Sequence, residues 1–315
     1  MAPLSKRQIP VSRARPPSLA EGDAQPRLTR VPLSRPGATQ PLAAFTVDVE
    51  DWYQSCFDYD APISERVVRN TERVLSILDE CRVKGTFFVQ GRVAETFPKL
   101  LESLVAEGHE VQCHGYSHRP LFSLDRRGLR DELERSRKTV EDACGMAVDA
   151  FRAQDFSVLR RNLWALDLIA EVGFTLDSSI FPMRMRRYGI SGWELAPHNL
   201  TLSNGAVLLE VPVAVWEIKR MRLPLAGGGY FRFLPQRLLE HGLQAIAASG
   251  RPVVIYCHPY EFNPDELAEF RTEISSRRRF TQGFRRRSSR QRVKGLLETL
   301  PFGRLDQVLS AWRVR

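Results

Sequence analysis

With 315 residues, of which 43% are hydrophobic, the chain can bury a large core, and we expect one α/β domain rather than two smaller ones. It has no run of about 18 apolar residues and no N-terminal apolar segment of about 7–15 residues, which argues against a membrane span and a secretory signal. The five cysteines are scattered without a C-x-x-C spacing. This pattern favours reduced thiols and a cytoplasmic location over a disulfide framework.

The formal net charge of +9 is concentrated near the N-terminus and in residues 277–292, whereas the middle of the chain is roughly balanced. A basic surface attracts nucleic acid or an anionic membrane, but no recognisable nucleic-acid module accompanies it. We therefore expect no nucleic-acid partner and interpret Arg285, Arg286 and Arg287 as a solvated face. Association with a membrane surface stays open, and the sequence does not indicate an oligomeric state.

Residues 1–41 are rich in Pro, Arg and Ser and show no hydrophobic period, so we expect a disordered tail followed by a single domain over residues 42–315. The apolar run at residues 42–49 predicts the first strand. Three carboxylates, Asp48, Glu50 and Asp51, lie at its C-terminal end.

Strand and helix patterns then alternate along the chain. Apolar stripes predict helices at residues 64–81, 93–107, 125–144, 163–171 and 235–249. Short apolar runs predict strands at residues 86–90, 110–113, 150–152, 174–176 and 252–257. This alternation predicts a parallel sheet or barrel with its chemistry at the strand ends.

Two regions depart from that rhythm. Residues 182–235 are rich in Gly, Pro and aromatics, which predicts an irregular insertion with antiparallel strands, among them residues 207–212. Within the insertion, the run G-G-G-Y-F-R at residues 227–232 predicts a tight loop. It lacks the helix directly in line that a phosphate loop requires. Residues 264–315 mix arginines with apolar residues and predict a helical C-terminal extension that packs on the body.

The run H-E-V-Q-C-H-G-Y-S-H at residues 109–118 contains the most chemically informative spacing. His114 and His118 stand four apart, which places two imidazoles on one side of a helical turn, while Gly115 and Pro120 mark a loop. A catalytic divalent ion needs a third protein ligand, commonly a carboxylate, and the end of the first strand offers three.

The polar residues at the predicted strand ends form a constellation, because such ends open on one face of a parallel β/α fold. Two histidines and a carboxylate leave coordination positions open, a neighbouring carboxylate can take a proton from water, and a separate histidine can protonate a leaving group. This is hydrolytic chemistry. The residues are Asp48, Glu50, Asp51, His114, His118, Arg152, Asp177 and His258.

From residue 42 onwards the sequence resembles the polysaccharide deacetylases with a NodB-homology domain, carbohydrate esterase family four. Five motifs match in order: F-T-V-D, H-G-Y-S-H, F-R-A, D-S-S and Y-C-H-P. The longer runs V-D-V-E-D-W, D-S-S-I-F-P, G-G-G-Y-F-R-F-L-P and H-P-Y-E-F resemble the branch in exosortase-associated exopolysaccharide loci. The resemblance implies a distorted (β/α) barrel, a divalent metal, with zinc expected, and an N-acetylated polysaccharide or oligosaccharide substrate.

Carried over by position, the resemblance implies Asp48 as base, His258 as general acid, and His114 and His118 as metal ligands. Arg152 would orient Asp48, and Asp177 would tune His258. In place of an adjacent Asp-Asp pair the first motif reads D-V-E-D, so the metal carboxylate is Glu50, which shares a strand face with Asp48, or Asp51. Gln154 and Asp155 replace the Pro usual in the third motif.

The resulting hypothesis is a metal-dependent hydrolase that removes N-acetyl groups from amino-sugar units of an exopolysaccharide or its precursor. Two alternatives stay open: hydrolysis of a small cyclic amide, as in relatives resembling allantoinases, and an inactive carbohydrate-binding protein. Each site residue alone also has a structural explanation, since Asp48 or Asp51 can cap a turn. Five rings can stack on sugars, namely Trp52, Tyr116, Trp193, Tyr230 and Tyr260.

Overall fold

The computed structural model describes residues 25–37, 39–270 and 272–313. Within these residues the strands are β1 Arg27–Arg30, β2 Ala43–Val49, β3 Thr86–Val89, β4 Glu110–Cys113, β5 Ala150–Phe151, β6 Leu176–Asp177, β7 His198–Thr201, β8 Val207–Glu210, β9 Val215–Ile218, β10 Met221–Pro224, β11 Val253–Cys257 and β12 Phe302–Gly303.

The helices of the same residues are α1 Trp52–Cys56, α2 Arg66–Glu80, α3 Gly91–Thr96, α4 Pro98–Ala106, α5 Arg126–Cys144, α6 Ala165–Glu171, α7 Gly228–Phe233, α8 Gln236–Ala248, α9 Ser276–Gly283, α10 Ser289–Leu297 and α11 Leu305–Ala311. None of the helices in the described residues is long and apolar enough to cross a membrane.

A curved parallel sheet forms the centre of the molecule. Its strands follow the order β8-β6-β5-β4-β3-β2-β11, and every neighbouring pair in that series is parallel. The chain after β8 closes the sheet on β11, where the N–H of Ala214 donates to the carbonyl of Val254 at 2.7 Å. This architecture confirms the predicted distorted (β/α) barrel.

Strand β2 pairs with β3 on one side and with β11 on the other. All seven of its residues are buried, which explains why its sequence A-A-F-T-V-D-V is continuously apolar apart from Thr46 and Asp48. One hydrophobic cluster contains residues from Ala43 near the start of the barrel to Trp312 in the C-terminal extension. The extension therefore packs on the body, as expected.

The segment before residue 42 corrects the prediction of a disordered tail in part. Residues 1–24 lie outside the described residues, but β1 pairs antiparallel with β7, and Val31 is buried. The N–H of Ser34 also donates to the carbonyl of Trp312 at 3.0 Å. Backbone pairing with a free sheet edge orders this strand, and all four of its side chains are exposed, so no hydrophobic period marked it.

Two further local predictions need correction. The helix expected at residues 93–107 is split into α3 and α4, because Pro98 has no N–H and disfavours helical geometry at Phe97, whose φ is −131°. The glycine-rich run expected as a tight loop starts with Gly227 at φ 105° and continues directly as helix α7.

The insertion at residues 182–235 divides into two parts. Strands β9 and β10 form a separate antiparallel hairpin. Strand β8 is antiparallel to β7, as predicted, but it also pairs in parallel with β6. It therefore belongs to the barrel. Its parallel pairing with β6 places Glu210 opposite Asp177.

Candidate metal centre and active site

The register of the parallel strands brings the first two motifs together. Val49 pairs with Val89, which pairs with Cys113, so the next residues, Glu50 and His114, emerge at the same level on either side of β3. Parallel strands present their carboxyl ends at one edge, which is why these side chains converge. His114 also donates its backbone N–H to the carbonyl of Val89 at 3.0 Å.

Glu50, His114 and His118 form a buried cluster that can hold a metal ion. One ligand atom from each side chain lies within 4.8 Å of the other two. The carboxylate Oε2 of Glu50 is 3.5 Å from Nε2 of His114 and in contact with Nε2 of His118. Two imidazoles with one carboxylate are a set that binds zinc and similar divalent ions.

The surroundings of the cluster fit a cation. His114 donates Nδ1–H to the carbonyl of Arg152 at 2.9 Å, which leaves the lone pair of Nε2 directed toward Glu50. Oε2 of Glu50 is buried and accepts no hydrogen bond from any described residue. Burial raises the pKa of Glu50, but the charges of His118 and His258 outweigh burial and hold it well below its usual range.

A loop rather than a helical turn presents His118, which corrects the first expectation for this motif. His118 has φ 66°, a left-handed conformation that costs a non-glycine residue about 1–3 kcal/mol and is concentrated at functional sites. Glu132 of α5 fixes the loop by accepting the N–H groups of Tyr116 and Ser117 at 2.9 and 2.6 Å. The side-chain amide of Gln54 donates to the carbonyl of Ser117 at 2.9 Å.

The geometry separates the two candidate metal carboxylates. Asp51 caps helix α1, accepting the N–H groups of Tyr53 and Gln54 at 2.9 and 3.2 Å through one oxygen. Its other oxygen accepts the N–H of Ser64 at 3.1 Å and also the Ser64 hydroxyl. With both oxygens engaged, Asp51 is not available to the cluster, so the alternative of Asp51 as metal ligand is corrected in favour of Glu50.

Asp48 lies beside the cluster, paired with Arg152 as expected. Nη1 of Arg152 is 2.8 Å from Oδ1 of Asp48 and 2.7 Å from the hydroxyl of Thr46, and Nη2 is 3.1 Å from the hydroxyl of Ser178. Arg152 is fully buried, and its guanidinium lies 4.1 Å from the centre of the Phe88 ring. No described residue donates to Oδ2 of Asp48, which leaves that oxygen to take a proton.

His258 follows β11, the strand that pairs with β2 on the side away from β3. Its Nε2 is 3.9 Å from Oε1 of Glu50 and its ring stacks on Tyr260 with centroids 5.0 Å apart. Burial lowers the pKa of His258, but the charges of Glu50 and Glu261 outweigh burial and raise it to about 9. The Tyr260 hydroxyl donates to Oε1 of Glu50 at 3.2 Å.

Asp177 does not reach His258, contrary to the expected tuning role. In the part of the chain that the structure describes, its oxygens accept the hydroxyl and the N–H of Ser179 at 2.5 and 3.1 Å. The strand register also places Asp177 opposite Glu210. Burial raises the pKa of Asp177, and burial with the charge of Asp177 raises that of Glu210 well above its usual value. The raised pKa of Glu210 favours its protonated form beside Asp177.

The residues of the third motif that differ from the usual pattern pack against the second motif. A β-carbon at Gly115 would lie only 2.5 Å from Oε1 of Gln154, so this position has no room for a side chain. Gly115 also has φ 69°. Nε2 of Gln154 donates to the carbonyl of Arg119 at 2.7 Å. Asp155, at φ 55°, pairs with Arg187 at 3.1 Å. These contacts fix a loop that has no proline.

Of the five rings expected to stack on sugars, four are buried in the described structure, namely Trp52, Tyr116, Trp193 and Tyr260. Tyr230 is half-buried, with its hydroxyl 3.1 Å from that of Tyr188. Sequence reasoning missed Tyr59, whose half-buried ring lies 6.4 Å from that of His118. It also missed the contact between Glu261 and His258, although Glu261 follows His258 by three residues.

Parts of the chain are similar to known proteins. Residues 50–170 match the family model described as Polysaccharide deacetylase, and residues 178–310 match a domain of unknown function. A chitooligosaccharide deacetylase of Bradyrhizobium sp. (strain ANU 289) is 31% identical over 100 residues, 32% of this chain and 43% of that protein. A peptidoglycan deacetylase of Helicobacter pylori is 28% identical over 153 residues, 45% of this chain and 50% of that protein. The chain thus spans at most half the length of these two curated relatives.

Two solved structures share the fold. A provisionally named polysaccharide deacetylase from Mycobacterium smegmatis has a TM-score of 0.60 at 21% identity, covering 91% of this chain and 95% of that one. PuuE allantoinase has a TM-score of 0.59 at 14% identity, covering 89% and 93%. The family match includes Glu50, His114 and His118 within residues 50–170. Residues 50–170 therefore resemble the polysaccharide deacetylases in sequence, and the fold is that of the two solved structures.

Proposed function

We propose that this protein is a metal-dependent amide hydrolase that removes acetyl groups from N-acetylated amino-sugar units of a polysaccharide. The observation that carries the proposal is the convergence of Glu50, His114 and His118 on one buried point, with Nε2 of His258 3.9 Å from Glu50 and the Arg152-paired Asp48 two residues before Glu50. The names of the relatives, which are chitooligosaccharide and peptidoglycan deacetylases, support the substrate class.

The three clustered side chains would hold a divalent ion, for which we propose zinc. When bound, such an ion supplies a Lewis acid beside the acyl carbonyl and lowers the pKa of water. Asp48 accepts a proton through Oδ2, while Arg152 keeps its other oxygen in place. His258 presents Nε2 to the cluster, where it donates a proton to the nitrogen of the departing amine.

The finer assignment follows from the sequence runs shared with the exosortase-associated branch. We propose that the substrate is an exopolysaccharide or its precursor and that the protein acts in the cytoplasm. The five cysteines, all unpaired in the structure, are consistent with a reducing compartment.

Acetate release from N-acetylglucosamine oligomers of increasing length, and from the polymer made by the same cell, tests the proposal. Release should be abolished by a chelator and restored by zinc. Turnover of allantoin without acetate release would assign the protein to cyclic amides. Sugar binding without any turnover would make it a carbohydrate-binding protein.

A further inference from the structure

Glu261 is the carboxylate that His258 contacts away from the metal cluster. Its Oε2 accepts the backbone N–H of His258 at 3.0 Å and lies 3.4 Å from Nδ1 of the ring. The second distance is that of an ion pair rather than a short hydrogen bond. The imidazole thus lies between two carboxylates, with Glu261 near Nδ1 and Glu50 near Nε2.

Arg232 holds Glu261 in this position. Its Nη2 is 3.3 Å from Oε1 of Glu261, and both side chains are less than a tenth exposed. Three carbonyls fix the guanidinium, those of Gly228 at 3.2 Å, Gln282 at 2.5 Å and Phe284 at 3.3 Å. Burial raises the pKa of Glu261, but His258 and Arg232 outweigh burial and lower it to about 2.

The glycine-rich run makes room for the carboxylate. A β-carbon at Gly228 would lie 1.7 Å from Oε2 of Glu261, a distance that no side chain can occupy. A β-carbon at Gly229, the next residue of α7, would meet nothing within 4 Å. The two neighbouring glycines therefore differ sharply: only Gly228 is required by the position of Glu261.

A second arginine braces the turn that carries both residues. Nη1 of Arg286 donates to the carbonyl of Tyr260 at 2.7 Å, and its Nε donates to the carbonyl of Gln282 at 2.7 Å. Arg286 is buried, which corrects its interpretation as part of a solvated face. The residues that brace His258 from this side all lie within residues 178–310, the region that matches a domain of unknown function.

We propose that Glu261, held by Arg232, is the positioning residue of His258, in the role that the resemblance gave to Asp177. The proposal rests on the proposed deacetylase function. The Glu261 carboxylate faces the protonated Nδ1 and so keeps Nε2 directed toward the cluster. The Nε2 proton then passes to the nitrogen of the leaving amine as the C–N bond breaks. Asp177 is occupied by Ser179 and Glu210.

The first test compares an amide with an activated aryl acetate ester, because an ester with a good leaving group needs little help from an acid. Glu261→Gln should lower kcat for the acetamido sugar by about 10- to 100-fold, the scale for an outer partner of a functional histidine. Ester hydrolysis and metal content should stay close to the parent values. Asp177→Asn should leave the ratio of amide to ester rates unchanged.

The glycine pair gives a matched second test that keeps every charge. Gly228→Ala places a methyl group against the Glu261 carboxylate and should reduce amide hydrolysis selectively. Gly229→Ala adds the same methyl group one residue later in open space and should behave like the parent. This pair decides the question if Glu261→Gln fails to fold.

The outcomes separate the two proposals. If the parent enzyme releases no acetate from any substrate, the proposed function fails. If the parent is active but Glu261→Gln or Gly228→Ala slows amide and ester hydrolysis equally, Glu261 is a structural residue and the inference is overturned. A selective loss in Asp177→Asn with none in Glu261→Gln would return the role to Asp177.

Discussion

Two buried arginine–carboxylate pairs lie near the cluster of Glu50, His114 and His118. Different parts of the chain form them. Arg152 follows β5 and Asp48 lies in β2, both strands of the parallel barrel, and the arginine also donates to side chains of β2 and of the end of β6. Arg232 and Glu261 come from helix α7 and from the turn after β11, and the arginine is fixed by backbone carbonyls at the start of α7 and the end of α9. The regular barrel therefore supports Asp48, the proposed base, and the irregular C-terminal region supports His258, the proposed acid.

The carboxylates also differ in how many partners share their charge. Among the described residues, Asp48 has one ion-pair partner, Arg152. Glu261 has two cationic neighbours, Arg232 and His258, and also accepts a backbone N–H. A carboxylate with a single partner leaves an oxygen for proton transfer, whereas one with several partners is suited to holding another group in place.

The largest effect should come from the cluster that both pairs face. His114→Ala removes one of three ligands, so we expect loss of stoichiometric metal and a fall in kcat of more than about 10³-fold, because the Lewis acid is lost with it. Metal analysis and acetate release measure both. His241→Ala, which removes an exposed imidazole from α8, is the control and should retain both. One equivalent of bound metal with parental activity in His114→Ala would show that the site is misassigned.

On the side of the base, Asp48→Asn should keep the metal and lower kcat by roughly 10²–10⁴-fold, the range for general base catalysis. The side chain keeps its size, and its oxygen can still accept from Arg152. Metal content and acetate release of the same preparation provide the measurement. Loss of metal together with activity would instead make Asp48 a ligand.

The two arginines should differ in their effect on stability. Arg152→Met leaves the buried charge of Asp48 without its partner and should lower the free energy of unfolding by about 3–5 kcal/mol. Arg232→Met should cost less, because Glu261 keeps His258 and a backbone donor. Denaturant unfolding in the presence of a chelator measures both values, and adding Asp48→Asn to Arg152→Met should recover part of the loss. Equal losses would remove the distinction between the pairs.

The base side of the site could be predicted from sequence because each residue ends a strand with a clear apolar pattern. Parallel register then carries Asp48, Glu50, His114 and Arg152 to one edge. The choice between Glu50 and Asp51 could not be made, because Asp51 is engaged by Ser64, which lies 13 residues later. That contact depends on the path of a loop.

The acid side could be predicted only for His258 itself. Its support requires Arg232, 29 residues before Glu261, and a glycine whose missing side chain gives no periodic signal. Strand β1 was missed for a related reason, since backbone bonds to a sheet edge leave no hydrophobic pattern. Contacts made by backbone or by long-range polar pairs are what the sequence did not reveal.

The smallest expected effect on stability concerns Asp177 and Glu210. These two buried carboxyls lie next to each other, whereas Asp48 and Glu261 each lie next to an arginine. Burial and the charge of Asp177 raise the pKa of Glu210 well above its usual value, so the folded protein holds a proton that the unfolded chain releases at lower pH. The stabilisation from binding this proton is therefore fully present below the pKa that Glu210 has in the unfolded chain. It is lost as the pH rises through the higher pKa that Glu210 has in the folded protein. Glu210→Gln keeps an acceptor for the N–H of Ile180 and stays neutral at every pH.

The variant should gain stability relative to the parent as the pH is raised from about 4 toward neutrality. Over this range the parent must either ionise a buried carboxyl or keep it protonated at increasing cost, whereas the amide does neither. Denaturant unfolding across this range gives the difference at each pH. Glu217→Gln, which removes the same charge from an exposed side chain, controls for net charge. If the difference for Glu210→Gln stays constant or reverses with pH, the pKa of Glu210 is not raised in the folded protein and this description of the pair is overturned.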